Sequence, residues 1–196
     1  MMLNGDEKSY VKRLSVRRLN RILTMLFADM KDLTDEGKDF SVHWNIMHMY
    51  SSSQLAKLLA MHRGIEPELA GIAAALHDIG IVMTKKLEGH AEAAEREVYD
   101  FLKKYNLKWG RKPLQVTEEE VEKVVKAIVQ HNEKGVFTSD PFVELLKDVD
   151  SLDGYLHGVT PEGARVERCQ RVIEELGITA WNFEESKEEL KIDNEK

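Results

Sequence analysis

Apolar residues recur at intervals of three and four along almost the whole chain, whereas strict alternation of apolar and polar residues is nearly absent. These intervals match the turn of an α-helix, while a strand with one buried face would show alternation. The pattern therefore predicts an all-α fold. A chain of 196 residues can enclose one hydrophobic core and needs no second one, so we expect a single domain.

Proline, glycine and capping residues divide this pattern into a helical bundle of about seven helices. Pro67 opens the third helix, and Thr117 with Glu120 matches a capping box at the start of the fifth. Pro141 opens the sixth helix, and Gly80 is expected to end the third as a left-handed cap. The expected helices cover residues 8–33, 43–61, 67 to the cap at 80, 88–104, 117–131, 141–156 and 161–176. We expect the domain to span residues 1–183 and a charged tail to occupy 184–196.

Composition excludes several classes of protein. The single cysteine, Cys169, excludes an intramolecular disulfide framework and a thiolate zinc site. No apolar run approaches the roughly 18 residues of a membrane span, and the charged start "NGDEKSYVKR" leads into no apolar region of the signal-peptide type. We therefore expect a cytoplasmic protein without a membrane partner, for which a homo-oligomer is compatible with the sequence.

The net charge of −7 disfavours nucleic acid as a partner, because a negative surface repels the phosphate backbone. Basic residues are concentrated only in the first predicted helix, where we expect a solvated face rather than a binding surface. They are Lys8, Lys12, Arg13, Arg17, Arg18 and Arg21.

Three potential metal ligands are predicted to point into the fold. A helical projection places His48 on the same stripe as Leu55 and Leu59. His77 and Asp78 end the apolar wall of the third helix, where an ionised aspartate needs a partner. The alternatives to a metal are a hydrogen-bonded core histidine at position 48, and a local cap or an Asp–His hydrogen bond at position 78.

The other histidines differ in how strongly their positions favour a site. His90 in the first turn of the fourth helix and His131 at the end of the fifth are both predicted to face inward, with a surface or capping role as the alternative. His43 projects away from the inward stripe of its helix and ranks below His48. His62 is expected to interact with a helix C-terminus, and His157 lies in a glycine loop, so neither is expected at a site.

The sixth helix carries three aspartates. Projected against the apolar residues, Asp153 lies near the centre of the inward face, Asp150 lies at its edge and Asp148 faces solvent. A salt bridge or a turn is the alternative to a site role for Asp153. Burying these carboxylates together with several histidines requires a shared positive charge. Because the donors are imidazoles and carboxylates, the sequence predicts Mn, Fe, Co, Ni, Mg or Zn in open coordination.

In this order the residues resemble the HD-domain metal-dependent phosphohydrolases, over residues 41–156. His48 precedes the stretch "GIEPELAGIAAALHDIG" at the family's usual interval, and "LKDVDSLDGY" aligns Asp150 with the aspartate of the family's Asp-x-Leu element. The resemblance therefore selects Asp150 over Asp153. The segments "GHAEAA" and "AIVQHN" look like those that supply extra histidines, here His90 and His131, in two-metal members.

The resemblance implies one or two divalent ions per chain. His48, His77, Asp78 and Asp150 would hold the first, with His77 and Asp78 as the catalytic pair. His90 and His131 would hold a second ion, with Asp78 as the bridging carboxylate. In place of an arginine common among relatives this chain has Ser51.

The implied activity is hydrolysis of a small phosphorylated, nucleotide-like substrate, as a phosphomonoesterase or a phosphodiesterase. Contacts to the phosphate oxygens are expected from Lys85, Lys86 and Lys147, and a further substrate contact from His43, with a solvated surface as the alternative for the lysines. Two rival functions stay open: a two-iron centre that performs oxygen-dependent oxidation, and a nucleotide-binding module without catalysis.

Overall fold

The structure is a computed structural model that describes residues 14–178. Over this range the chain forms α-helices and no strand, which confirms the predicted all-α fold. The helices are α1 (Arg17–Met30), α2 (Val42–Arg63), α3 (Pro67–Leu76), α4 (Ile79–Thr84), α5 (His90–Trp109), α6 (Glu118–Gln130), α7 (Pro141–Leu156) and α8 (Ala164–Glu175). The seven longer helices agree with the predicted number of about seven. The short α4 is an additional, eighth helix. Within 14–178, no helix combines the length and apolar character that crossing a bilayer requires.

Helix α3 lies at the centre of the fold, where it packs against α1, α2, α6 and α7. Every residue of α3 after Pro67 is buried. After Glu68 its sequence "LAGIAAAL" is apolar on all sides and rich in alanine, which suits a helix enclosed by neighbours at close range. The C-terminal end of α3 is therefore inside the protein, and His77 follows it with no exposed surface.

Several predicted helix boundaries are confirmed. Pro67 and Pro141 occupy the first positions of α3 and α7. Thr117 and Glu120 form both hydrogen bonds of a capping box at the start of α6. These local signals fix where the helices begin, because each satisfies or removes a backbone N–H that has no partner within the helix.

The prediction for Gly80 is wrong. Gly80 lies inside α4 and its backbone is not left-handed. The Cα atom of Gly80 lies against the start of α5. A Cβ added at this position would be 1.9 Å from the carbonyl oxygen of His90. The glycine is needed for this close approach of two helices rather than for a cap.

Three other boundaries differ from the prediction. Helix α1 is shorter than expected, although residues 8–13 lie outside the described range. Helix α5 continues to Trp109 and so takes up the first residues of the predicted polar loop, and α8 begins at Ala164 rather than at Pro161. The end of the domain at 183 and the tail also lie outside residues 14–178.

The basic face of the first helix is not wholly solvated. Arg18 reaches the buried Glu68 with its Nε atom at 2.8 Å, and its Nη1 atom lies 2.8 Å from Glu120. These ion pairs join α1 to α3 and α6. Lys8, Lys12 and Arg13 lie outside the described residues.

Asp148 is fully buried, so the prediction that it faces solvent is wrong. Its carboxylate accepts from Arg168 at 2.8 Å and from Arg171 at 2.5 Å, and Arg63 lies 2.8 Å away. The projection assumed one buried face, but α8 covers the opposite face of α7, and residues 145–153 are all buried. Asp148 is thus the centre of a buried ion network that joins α2, α7 and α8.

Candidate metal centre

Four histidines and two aspartates meet at one end of the central helix α3. His48 comes from α2, His90 is the first residue of α5, and His131 directly follows α6. His77 and Asp78 form the junction of α3 and α4, and α7 supplies Asp150. All six side chains are buried. Residues far apart in the sequence thus lie together in the fold.

One half of the cluster surrounds the Oδ2 atom of Asp78. The Nε2 atom of His77 lies 3.4 Å from this oxygen, and that of His48 lies 3.6 Å from it. The Oδ1 atom of Asp150 closes this half, at 3.2 Å from His48 Nε2 and 3.7 Å from His77 Nε2. His48, His77 and Asp78 each offer one ligand atom here within range of a single ion.

The other half surrounds the Oδ1 atom of the same Asp78 carboxylate. His90 Nε2 lies 3.3 Å from this oxygen and His131 Nε2 lies 3.6 Å from it. These three residues also offer ligand atoms within range of one ion. Asp78 makes no capping hydrogen bond for α4, so the alternative of a local cap does not describe it. Its two oxygens are divided between two pairs of histidines, which is the position of a bridging carboxylate.

The Nδ1 atoms of three histidines are fixed by the backbone. In each case Nδ1 faces the carbonyl oxygen three residues earlier: Ala74 for His77 at 2.7 Å, and Leu87 for His90 and Ile128 for His131, both at 2.6 Å. A carbonyl oxygen only accepts, so we assign the proton to Nδ1. The Nε2 lone pairs of these rings therefore point into the cluster.

These lone pairs face one another. The Nε2 atoms of His48 and His77 lie 3.1 Å apart, and those of His90 and His131 lie 3.1 Å apart. Two rings that both carry a proton only on Nδ1 cannot form a hydrogen bond between their Nε2 atoms, so either an additional proton or a metal ion must supply positive charge to make each contact favourable. The donor set therefore fits one metal ion in each half.

The electrostatics of the cluster agree with a need for positive charge. Burial disfavours a charged His48, but the carboxylates of Asp150, Asp153 and Asp78 outweigh it and raise the pKa of His48 to about 10. Burial would raise the pKa of Asp78, yet the surrounding histidines hold it well below its usual range. Burial lowers the pKa of His131 to about 4, so this ring is neutral and ready to act as a ligand at neutral pH.

Asp153 supports the cluster from behind. Its Oδ2 atom accepts from His48 Nδ1 at 2.6 Å and from the hydroxyl of Ser51 at 3.0 Å. His157, which the sequence did not favour, lies 2.8 Å from the same hydroxyl and stacks edge-on against Trp44. The salt bridge left open as an alternative role for Asp153 is thus observed, and its partner is a candidate metal ligand.

Two cations beside Asp150 were missed by sequence reasoning. Lys134 is buried, and its amine contacts Asp150 Oδ2 and donates to the carbonyl oxygen of His131 at 2.5 Å. Burial lowers the pKa of Lys134 to about 8, although the charge of Asp150 opposes this effect. Arg165 reaches the same carboxylate oxygen, with Nη1 at 3.4 Å. In the sequence, nothing distinguishes either residue from an exposed lysine or arginine.

The three lysines predicted to contact the substrate interact with other groups of the protein. Lys147 is fully buried and donates to the carbonyl oxygen of Val136 at 2.7 Å, so its amine is not available to a substrate. Lys85 donates to the carbonyl oxygen of Glu36, and the exposed Lys86 pairs with Asp39. His43 is exposed on α2.

Comparison with known proteins gives one match. A family model described as HD domain matches residues 45–155, which is more than half of the chain and includes all six residues of the cluster. No curated protein and no solved structure matches the chain significantly.

Proposed function

The chain belongs to the HD domain family, and from that premise we propose that it is a divalent-metal-dependent phosphohydrolase acting on a small phosphorylated, nucleotide-like substrate. The superfamily consists generally of metal-dependent hydrolases, and HD domains bind divalent metals. The buried histidines and aspartates of this chain are compatible with such ions. The observation that carries the proposal is the division of the Asp78 carboxylate between two histidine pairs.

The donor set supports a catalytic rather than a purely structural metal. His48, His77, Asp78 and Asp150 would hold one ion, and His90 and His131, with the second oxygen of Asp78, would hold another. These nitrogen and oxygen donors leave open positions on each ion, in contrast with a closed thiolate site. When bound, such ions lower the pKa of a coordinated water towards about 7 and draw charge from phosphoryl oxygens.

The protein's own residues supply orientation and charge. The carbonyl oxygens of Ala74, Leu87 and Ile128 hold three imidazoles with Nε2 directed inward. The two aspartates give the cluster a negative charge that retains cations, and the buried Lys134 balances part of it at Asp150 Oδ2. Burial excludes bulk water from the ligand atoms and so strengthens each of these interactions.

The direct test combines elemental analysis of the untreated protein with a phosphate-release screen, in which nucleotides and other phosphomonoesters and phosphoanhydrides are offered with the metal found. We expect bound divalent metal and phosphate release. His77→Ala and Asp78→Ala should abolish metal retention and turnover while the circular dichroism spectrum stays helical. Asp100→Ala is the control, because Asp100 is exposed on α5 and, within residues 14–178, pairs only with Arg96. Activity at the wild-type level in both cluster variants would refute the proposal.

The same measurements separate the rival functions. Two irons per chain, oxygen consumption and no phosphate release with Mn, Co or Ni would identify an oxidase. Saturable nucleotide binding without turnover under any metal would identify a binding module. Either result would replace the hydrolase proposal.

A further inference from the structure

Arg165 reaches the candidate metal centre from the solvent side. It lies in the first turn of α8, outside the residues that match the family model, and about a third of its side chain, 34%, is exposed. Its Nη1 atom is 3.4 Å from Asp150 Oδ2. We infer that Arg165 binds the phosphoryl group of the substrate, and that this group is a terminal phosphate rather than an internal phosphodiester. The inference rests on the proposed phosphohydrolase function.

Other cations near the cluster are already engaged. Lys134 shares the oxygen of Asp150 with Arg165, but Lys134 is only 6% exposed and its amine is occupied on two sides. Within residues 14–178, the carboxylates of Asp78 and Asp150 form ion pairs with histidines and with two other basic residues. These two are Lys134 and Arg165, which both contact Asp150. Arg165 is therefore the cation of this pair that a ligand can reach.

The carboxylate of Asp150 places the guanidinium and the candidate ligand atoms side by side. Its Oδ1 atom faces His48 Nε2 at 3.2 Å, while its Oδ2 atom faces Arg165. A group bound at the solvent side of Asp150 would thus lie between the metal-binding half and the guanidinium. A phosphoryl group suits this position, because its several oxygens can bind different partners at once.

The chemistry of arginine favours a terminal phosphate. A guanidinium binds two oxygens of a phosphoryl group through parallel N–H donors, and Arg165 uses only Nη1 in its contact with Asp150. A terminal phosphoryl group has three free oxygens, so two can meet the arginine while one stays directed at the cluster. An internal diester has one fewer and would lose one of these contacts.

Removal of Arg165 should leave the metal site in place. The guanidinium competes with a metal ion for the electrons of Asp150, so its loss does not weaken the ligand set. Arg165→Lys retains the positive charge but loses the planar guanidinium with its parallel N–H donors. A defect confined to phosphate binding is therefore expected, and it would be larger in Arg165→Ala than in Arg165→Lys.

The experiment measures the binding of inorganic phosphate to the metal-loaded full chain by calorimetry, with metal content determined on the same samples. Arg165→Ala should weaken phosphate binding about tenfold to a hundredfold, which is the range for loss of a charge-assisted hydrogen bond, at unchanged metal content. Arg96→Ala is the matched control, because Arg96 is exposed on α5 and Asp100 is its only ion-pair partner in the part of the chain that the structure describes. Methyl phosphate should bind the wild type more tightly than dimethyl phosphate does, and this preference should shrink in Arg165→Ala.

Each contrary result has a distinct meaning. Equal phosphate affinity in wild type and Arg165→Ala at equal metal content overturns the inference and leaves the phosphohydrolase proposal standing. A parallel loss of metal in Arg165→Ala also overturns it, because the arginine would then serve the metal site. A metal-loaded wild type that neither binds phosphate nor releases it from any substrate overturns the proposed function, and the inference fails with it. No preference for methyl phosphate overturns the choice of a terminal phosphate.

Discussion

The Nδ1 atom of His48 donates to the Oδ2 atom of Asp153 across 2.6 Å, which ties α2 to α7 at the back of the candidate metal centre. Asp153 lies one turn beyond Asp150 on α7, and the two aspartates hold opposite sides of the same imidazole. Asp150 faces the ligand nitrogen, while Asp153 holds the other nitrogen and so fixes the orientation of the ring.

Asp153→Asn should therefore weaken metal binding although Asp153 is not placed as a ligand. The amide keeps the shape of the side chain but loses the charge that favours a proton on His48 Nδ1. We expect metal affinity to fall about tenfold to a hundredfold, with the helical content unchanged. A competition titration against a chelator measures the affinity, and Asp100→Asn serves as the exposed control. Unchanged affinity would show that the contact does not position the ligand.

His90→Ala should halve the number of metal ions bound per chain. His90 contacts the Oδ1 atom of Asp78, whereas the half formed by His48 and His77 uses the other oxygen. Elemental analysis after gel filtration gives the ratio. His62→Ala, at the exposed end of α2, should leave the ratio unaltered. A wild-type protein with one ion, and the same ion in His90→Ala, would support a four-ligand site without a bridge.

Gly80→Ala should damage the second half of the centre through the backbone. The new Cβ would overlap the carbonyl oxygen of His90, so the first turn of α5 must move. We expect a loss of about 1–3 kcal/mol in the free energy of unfolding and reduced metal content. Gly154→Ala is the matched control, because Gly154 is also helical and an added Cβ meets its nearest neighbour only at 4.0 Å. Equal effects of the two substitutions would contradict the role given to Gly80.

Metal binding should release protons at neutral pH. In the metal-free protein the pKa of His48 is raised to about 10, so this ring is protonated at pH 8 and must lose a proton before it can bind a metal. Apparent affinity should rise by about tenfold per pH unit from pH 7 towards pH 10. Calorimetry in two buffers of different ionisation enthalpy, at one pH, counts the protons released. Identical heats in both buffers would exclude a protonated His48.

Asp148→Ala should destabilise the fold without affecting the metal. The substitution leaves Arg168 fully buried beside a cavity and removes a partner of Arg63 and Arg171. Breaking a buried ion network by removing one partner costs about 3–5 kcal/mol. Denaturant unfolding gives the cost, and metal content per folded chain should match that of the wild type. A change of less than about 0.5 kcal/mol in the free energy of unfolding is expected for a surface position. Such a result would indicate that Asp148 faces solvent, as first predicted.

The helical pattern predicted the fold and the inward direction of several candidate ligands, because both depend on local signals. His48 and the end of α3 were placed inward by periodicity alone, and Thr117 and Pro141 marked their helix starts directly. Choosing between Asp150 and Asp153 required the family pattern, because both are buried on α7 and both approach His48. Projection along one helix cannot tell which carboxylate faces Nδ1 and which faces Nε2.

Features that depend on contacts between distant helices were not predictable. Asp148 and Lys147 were misplaced because the sequence of α7 does not show that α8 covers its second face. Lys134 follows His131 by three residues, yet only the packing around α7 turns it towards Asp150. The role of Gly80 likewise depends on where α5 begins, which no residue near position 80 specifies.

Three of the four imidazoles take their orientation from the backbone carbonyl oxygen three residues earlier in the chain, and such oxygens are present whatever side chains occupy those positions. Substitution of Ala74, Leu87 or Ile128 by other residues of similar size would therefore leave these rings aimed as before. His48 is different, since its aim depends on the side chain of Asp153. Evolutionary adjustment of the centre, towards another metal or a different proton affinity, would accordingly act most readily through position 153.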